Sequence, residues 1–168
     1  MKKAVLIISP NNFRDEELFD TKEELESSGI ETKIASKTTD TAKGMLGGTA
    51  KPDMTIDDIS VSEYDAVVLI GGSGSSVYFN DAKVQLLVKE AFSKGKVVAA
   101  ICIAPSTLAN AGILKGKKAT CYPSEGSNLK AKGAMYTASS VEIDGKIITA
   151  NGPGAASAFG RAITAALR

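Results

Sequence analysis

The stretch VVAAICIAPSTLANAG, residues 97 to 112, carries an apolar run that ends in one cysteine, Cys102. Pro105 follows three residues later, then Ser106, Thr107 and apolar residues at helical spacing. A lone cysteine is most often a small buried hydrophobe. One set where a strand hands over to a helix is placed as a nucleophile, because the N–H groups of a helix start favour an anion and lower a thiol pKa, to roughly 3.5–7.5 in known cases. The chain has no histidine, so the usual imidazole activator of such a thiol is missing. Glu17, in NNFRDEELF, is the candidate acid. It lies one helical turn after Phe13 and one before Thr21, on a stripe that includes Leu25 and faces the sheet. A carboxyl directed inward is expensive unless it is protonated or bonded. The proton of a thiol–carboxyl pair is expected on Glu17, with the anion on sulfur. In LIGGSGSS, residues 69 to 76, the dinucleotide fingerprint would need a glycine at 77, where Val77 stands, and a phosphate loop would need Gly-Lys-Ser/Thr. The alternatives are a plain strand-to-helix turn or an oxyanion hole, in which the N–H of Gly72 pairs with that of Ile103.

The elements that must position these residues are legible from periodicity. KAVLIIS (3 to 9), ETKIAS (31 to 36), DAVVLIGG (65 to 72) and KVVAAI (96 to 101) read as strands, and KKATCYP as a shorter one. A helix opens at Asp15 and Glu16 and runs through about Ser28, ended by Gly29. Asp81 caps a second helix that runs to Ser93, a third follows Pro105, and the last starts after NGPG and reaches the C-terminus. Gly47-Gly48 and Asp144-Gly145 mark two hairpins. Strands apolar on both faces, alternating with helices, imply a mostly parallel open sheet covered on both sides: a three-layer α/β/α sandwich, flavodoxin-like, in one domain over residues 1–168. Ligands in such folds sit beyond the carboxyl ends of the strands. The segments expected there are 9–17, 71–76, 102–106, 121–123 and 151–154.

The bulk numbers narrow the function. A chain of 168 residues suits one domain burying about 70% of its unfolded surface. Twenty Lys and Arg against 19 Asp and Glu leave a net charge of +1, with no basic face or tail for nucleic acid. No apolar run approaches the roughly 18 residues of a membrane span. MKKAVLIISP begins like a signal peptide, but Asn11, Asn12, Arg14 and Asp15 follow at once, so it reads as a buried first strand. With only Cys102 and Cys121 and no secretory pattern, a reducing cytoplasm is expected.

AAICIAPSTLANAGILKGKKAT, with FRDEEL near the start, VVLIGGSG in the middle and NGPGAASAFGRAI near the end, resembles the ThiJ/PfpI family of the class I glutamine amidotransferase-like superfamily. The resemblance covers nearly the whole chain and lies closer to the deglycase branch than to the protease branch. It implies that Cys102 is the reactive cysteine, that Glu17 hydrogen-bonds its sulfur, and that Gly72 and Ile103 supply the two oxyanion-hole amides. Tyr122 falls where the deglycase branch has histidine and some protease relatives have tyrosine, and Arg14 and Asn12 would line the mouth. Two departures count against proteolysis. The protease relatives have Cys-His where this chain has Cys102-Ile103, and Ser76 stands where they use an acidic residue from a neighbouring subunit. Peptide hydrolysis also needs a proton donor to the leaving amine. The expected activity is cofactor-free and metal-free chemistry on 2-oxoaldehydes such as methylglyoxal, or on early glycation adducts, with Cys102 as nucleophile and Glu17 as proton shuttle. The competing reading is a protective redox sensor in which Cys102 is oxidised without turnover. Relatives are usually dimers or assemblies of dimers, so a homodimer or higher homo-oligomer is expected.

Overall fold

The computed structural model describes all 168 residues. In chain order its elements are β1 (Lys3–Ile7), β2 (Asn11–Phe13), α1 (Asp15–Ser27), β3 (Glu31–Ser36), β4 (Ala42–Gly44), β5 (Thr49–Ala50), β6 (Met54–Thr55), β7 (Ala66–Leu69), α2 (Ala82–Ser93), β8 (Val97–Ile101), α3 (Pro105–Asn110), β9 (Lys118–Ala119), α4 (Gly126–Ala131), β10 (Met135–Tyr136), β11 (Val141–Asp144), β12 (Ile147–Ala150) and α5 (Ala156–Ala166). Seven strands form one sheet in the order β11-β12-β8-β7-β1-β3-β6. Every pair in it is parallel except β11 with β12, the hairpin that turns at Asp144-Gly145.

Strand alternation divides the core in two. Val5, Ile7, Val67, Leu69, Val98 and Ala100 pack with Val84 and Val88 of α2, Leu108 of α3 and Leu129 of α4. On the other face, Leu6, Ile8, Val68, Ala99, Ile101 and Ile148 pack with Leu18 and Leu25 of α1 and with Phe159 and Ile163 of α5. The expected three-layer sandwich is the observed one.

The differences lie at element ends. The first strand stops at Ile7, and the chain then forms β2, which pairs with β4 in a small sheet completed by β5. KKATCYP contributes only the two residues of β9, so Cys121 and Tyr122 lie past the strand. Asp81 caps α2 as expected, accepting from the N–H groups of Lys83 and Val84 at 3.0 Å each. α1 opens at Asp15 as expected, with no side-chain cap. The Asp15 carboxylate accepts from the N–H groups of Leu46 and Gly48, at 2.8 and 2.7 Å, and ties the β4–β5 hairpin to the start of α1. These bonds outweigh burial and hold the Asp15 carboxyl below its ordinary pKa. No helix is long and apolar enough to cross a membrane.

Candidate active site

Cys102 sits immediately after β8 with φ +66°, in the left-handed region that a side chain rarely adopts. Two hydrogen bonds hold it there. Its N–H donates to Ala150 O at 2.9 Å, and its carbonyl accepts from Tyr122 N–H at 2.7 Å. A non-glycine residue in this conformation costs about 1–3 kcal/mol. The turn lifts the sulfur off the end of the sheet toward the N–H groups of Gly72 and Ile103, which favour its anion.

The two glycines after β7 serve different ends. A Cβ on Gly71 would stand 2.5 Å from Glu17 Oε1 and 2.6 Å from Cys102 Cβ, so this position must stay bare for the acid and the thiol to meet. Gly72 has φ +104°, and its backbone lies against Arg14 N and the Asn12 carbonyl, so no side chain fits there either. Arg14 N–H also donates to Gly71 O at 2.9 Å, which locks the start of α1 to this turn.

Glu17 is 0% exposed, on the stripe with Phe13, Thr21 and Leu25. Its carboxyl lies beside the Cys102 sulfhydryl and the Gly71 N–H, yet neither oxygen has a well-aligned hydrogen-bond partner. Burial pushes its pKa up to about 7, against the pull of Cys102, of the Gly71 N–H and of Arg14. Burial pushes the Cys102 thiol up as well, to about 12, with the Glu17 charge adding to it and the Gly72 and Ile103 N–H groups opposing. The expected drop in thiol pKa is therefore corrected. Helix α3 has only six residues, with a proline in its first turn, and its field is too weak to offset desolvation and a neighbouring carboxylate. The two ionisations are coupled, and the pair sheds its first proton near pH 7. A carboxyl raised to about 7 beside the thiol is able to exchange a proton with it.

A cavity of about 590 Å³ opens over the sulfur. Arg14, Gly72, Ile103 and Tyr122 line it with Cys102; Asn12 does not. The Asn12 side chain is exposed, and the residue contributes its carbonyl to the packing against Gly72. The Arg14 guanidinium makes two hydrogen bonds to the Glu16 carboxylate, at 2.9 and 3.0 Å, which spreads its charge over both groups. Tyr122 is 47% exposed at the mouth, while Cys121 beside it is 1% exposed in the opposite core. Met45, Phe79, Ser124 and Glu125 also line the cavity. Met45 arrives on the β4–β5 hairpin and the others on irregular turns, where periodicity carries no signal. No group of three or more His, Cys, Asp or Glu side chains converges to hold a metal ion.

The sequence and the fold are similar to those of known proteins. The DJ-1/PfpI family model matches residues 2–166. An uncharacterized protein of Methanocaldococcus jannaschii, MJ0967, is 44% identical over 168 residues, covering 98% of this chain and 82% of its own. Deglycase PH1704 of Pyrococcus horikoshii is 34% identical over 89% of this chain and 90% of its own. The crystal structure of a ThiJ/PfpI domain protein from Brachyspira murdochii superposes with a TM-score of 0.96 at 34% identity, over 98% of this chain and 95% of that one. With the sequence match running almost from end to end and the fold matching as closely, the chain belongs to the DJ-1/PfpI family.

Proposed function

We propose that this protein is a cofactor-independent cysteine enzyme acting on 2-oxoaldehydes or on early glycation adducts, with Cys102 as nucleophile and Glu17 as proton shuttle. The observation that carries the reading is the buried Glu17 carboxyl, raised to about 7 and set against the Cys102 sulfur without a well-formed hydrogen bond. A general base works best with a pKa near the operating pH. The deglycase name of the Pyrococcus relative supports the substrate class.

For methylglyoxal the steps balance as follows. Glu17 takes the thiol proton as sulfur adds to the aldehyde carbon and passes that proton to the new oxygen, which gives a hemithioacetal and restores the carboxylate. The Gly72 and Ile103 N–H groups are the donors available to that oxygen. Glu17 then moves a proton from the aldehyde carbon to the neighbouring carbonyl carbon by way of an enediol, leaving a lactoyl thioester. Water cleaves the thioester to lactate and restores the thiol. One carbon is oxidised, its neighbour is reduced and one water is consumed, so no external oxidant enters. Purified protein incubated with methylglyoxal should release lactate, and Cys102→Ser should lose on the order of 10³-fold of that rate. Lactate formation equal in the two proteins would sink the proposal.

The same geometry favours a second reading. Two N–H donors and one carboxyl converge on the sulfur and would hold the oxygens of a sulfinate formed by two successive equivalents of peroxide. Absence of lactate together with stable sulfinate at Cys102, seen by mass spectrometry, would favour it.

A further inference from the structure

Glu125 lines the same cavity as Cys102, and neither the sequence nor the proposed chemistry gives it a task. It ends a tight turn, Pro123–Glu125, directly after Tyr122. Its carboxylate accepts from Ser106 Oγ at 2.6 Å and from Ser124 Oγ at 2.9 Å. Ser106, 1% exposed, in turn accepts from Asn128 Nδ2 at 3.1 Å, and the same amide donates to Asn110 Oδ1 at 3.0 Å. The carboxylate is therefore aimed by a fixed network that runs from α3 to α4.

None of the ion pairs in the structure includes Glu125. Its partners are two neutral hydroxyls, which orient a negative charge without cancelling it. Among the residues that line the cavity, the other charged one is Arg14, and that guanidinium is already matched by Glu16. A carboxylate held in place in the wall of the cavity that holds the Cys102 thiol, with no free cation of its own chain among the lining residues, is half of an ion pair.

We infer that Glu125 is a subsite for an organic cation, an alkylammonium or guanidinium group carried by the substrate next to its reacting carbon. The class of substrate rests on the activity proposed above: adducts of an aldehyde with a cationic amine or guanidine would be taken in preference to adducts with anionic groups. Glu125 sets this preference and takes no part in proton transfer. If it served only to tie the Pro123–Glu125 turn to α3, its charge would be immaterial and only its hydrogen bonds would count.

The subsite can be tested without turnover. Cys102 is modified with two methanethiosulfonate reagents of similar size, one bearing a trimethylammonium group and one a sulfonate, and the rates are read by peptide mapping and normalised to a small free thiol. The wild type should favour the cation. Glu125→Gln keeps acceptors for Ser106 and Ser124 but removes the charge, and should lower the cation-to-anion ratio about three- to tenfold. Glu125→Lys should lower it further, and the wild-type preference should shrink as salt is added. In turnover, the ratio of kcat/KM for the methylglyoxal adduct of butylguanidine to that for free methylglyoxal should fall in the same order, through KM. Equal modification ratios in all three proteins would overturn the inference. A wild-type preference for the cation in a protein that releases no lactate would uphold the subsite and overturn the proposed activity.

Discussion

At the scale of single residues, the pair Cys102 and Glu17 decides the pH behaviour. The pair loses its first proton near pH 7, and each alkylation of Cys102 needs a base for the thiol proton. Labelling by iodoacetamide should therefore rise through an inflection near pH 7 in the wild type and lack it in Glu17→Gln. An inflection unchanged in Glu17→Gln would remove Glu17 from the chemistry. Stability should carry the same signature. The carboxyl pKa goes from 4.5 unfolded to about 7 folded, so the folded state holds the proton more tightly. Its favourable contribution is complete below pH 4.5 and lost as pH rises through 7. Against Glu17→Gln, which does not titrate there, the wild type should lose on the order of 3 kcal/mol between pH 4 and pH 8, read from urea unfolding at each pH. Tyr122, exposed at the mouth, can offer its hydroxyl as a hydrogen-bond donor to a bound molecule. Tyr122→Phe should cost roughly fivefold or less in turnover, the worth of one neutral hydrogen bond.

At the scale of elements, the site is assembled where α1, the turn after β7 and the turn after β8 meet, and Gly72 is the joint. A methyl group there would run into Arg14 N and stand 2.5 Å from Asn12 O and 2.7 Å from Phe13 C, at a φ of +104° that disfavours any side chain. Gly72→Ala should destabilise the fold by roughly 3 kcal/mol, read as a lower urea midpoint at unchanged slope. A variant as stable as the wild type would mean that the turn moves freely away from α1. Much of this assembly was legible in the sequence. The long strands are apolar on both faces, Asp81 announces α2, and KVVAAIC followed by a helix announces a cysteine set between a strand and a helix. The short strands β2 and β6 and the helix α4 were not legible. Two or three residues carry no period, and such elements exist only because a neighbour offers them hydrogen bonds. Glu125 was silent for the same reason: a single acid in a turn looks solvated until the fold carries it to the cavity wall. The direction of the thiol pKa was misjudged because the sequence announces a helix start but does not measure how deeply it buries the sulfur.

At the scale of the whole molecule, the sheet separates the two cysteines. Cys102 belongs to the core shared with α1 and α5, at the edge of which the cavity opens, and Cys121 to the core shared with α2, α3 and α4. Both thiols are pushed up to about 12, Cys121 by burial first and then by Glu125, so ionisation alone does not distinguish them. Access to the cavity does. Cys102 faces a cavity of about 590 Å³ and has Glu17 beside it. Cys121 does not line that cavity and is 1% exposed, and a reagent reaches it only when its half of the core opens. For a domain of ordinary stability, about 5–15 kcal/mol, that opening is rare by a factor of 10³ or more. Iodoacetamide at neutral pH, followed by peptide mapping, should mark Cys102 first and Cys121 at least about 10³-fold more slowly. Added urea should speed the labelling of Cys121 in step with global unfolding, while that of Cys102 changes little below the transition. Labelling of Cys121 at the native Cys102 rate, without denaturant, would mean that the α2–α3–α4 layer opens by itself, and the assignment of Cys102 as the reactive thiol would fail with it.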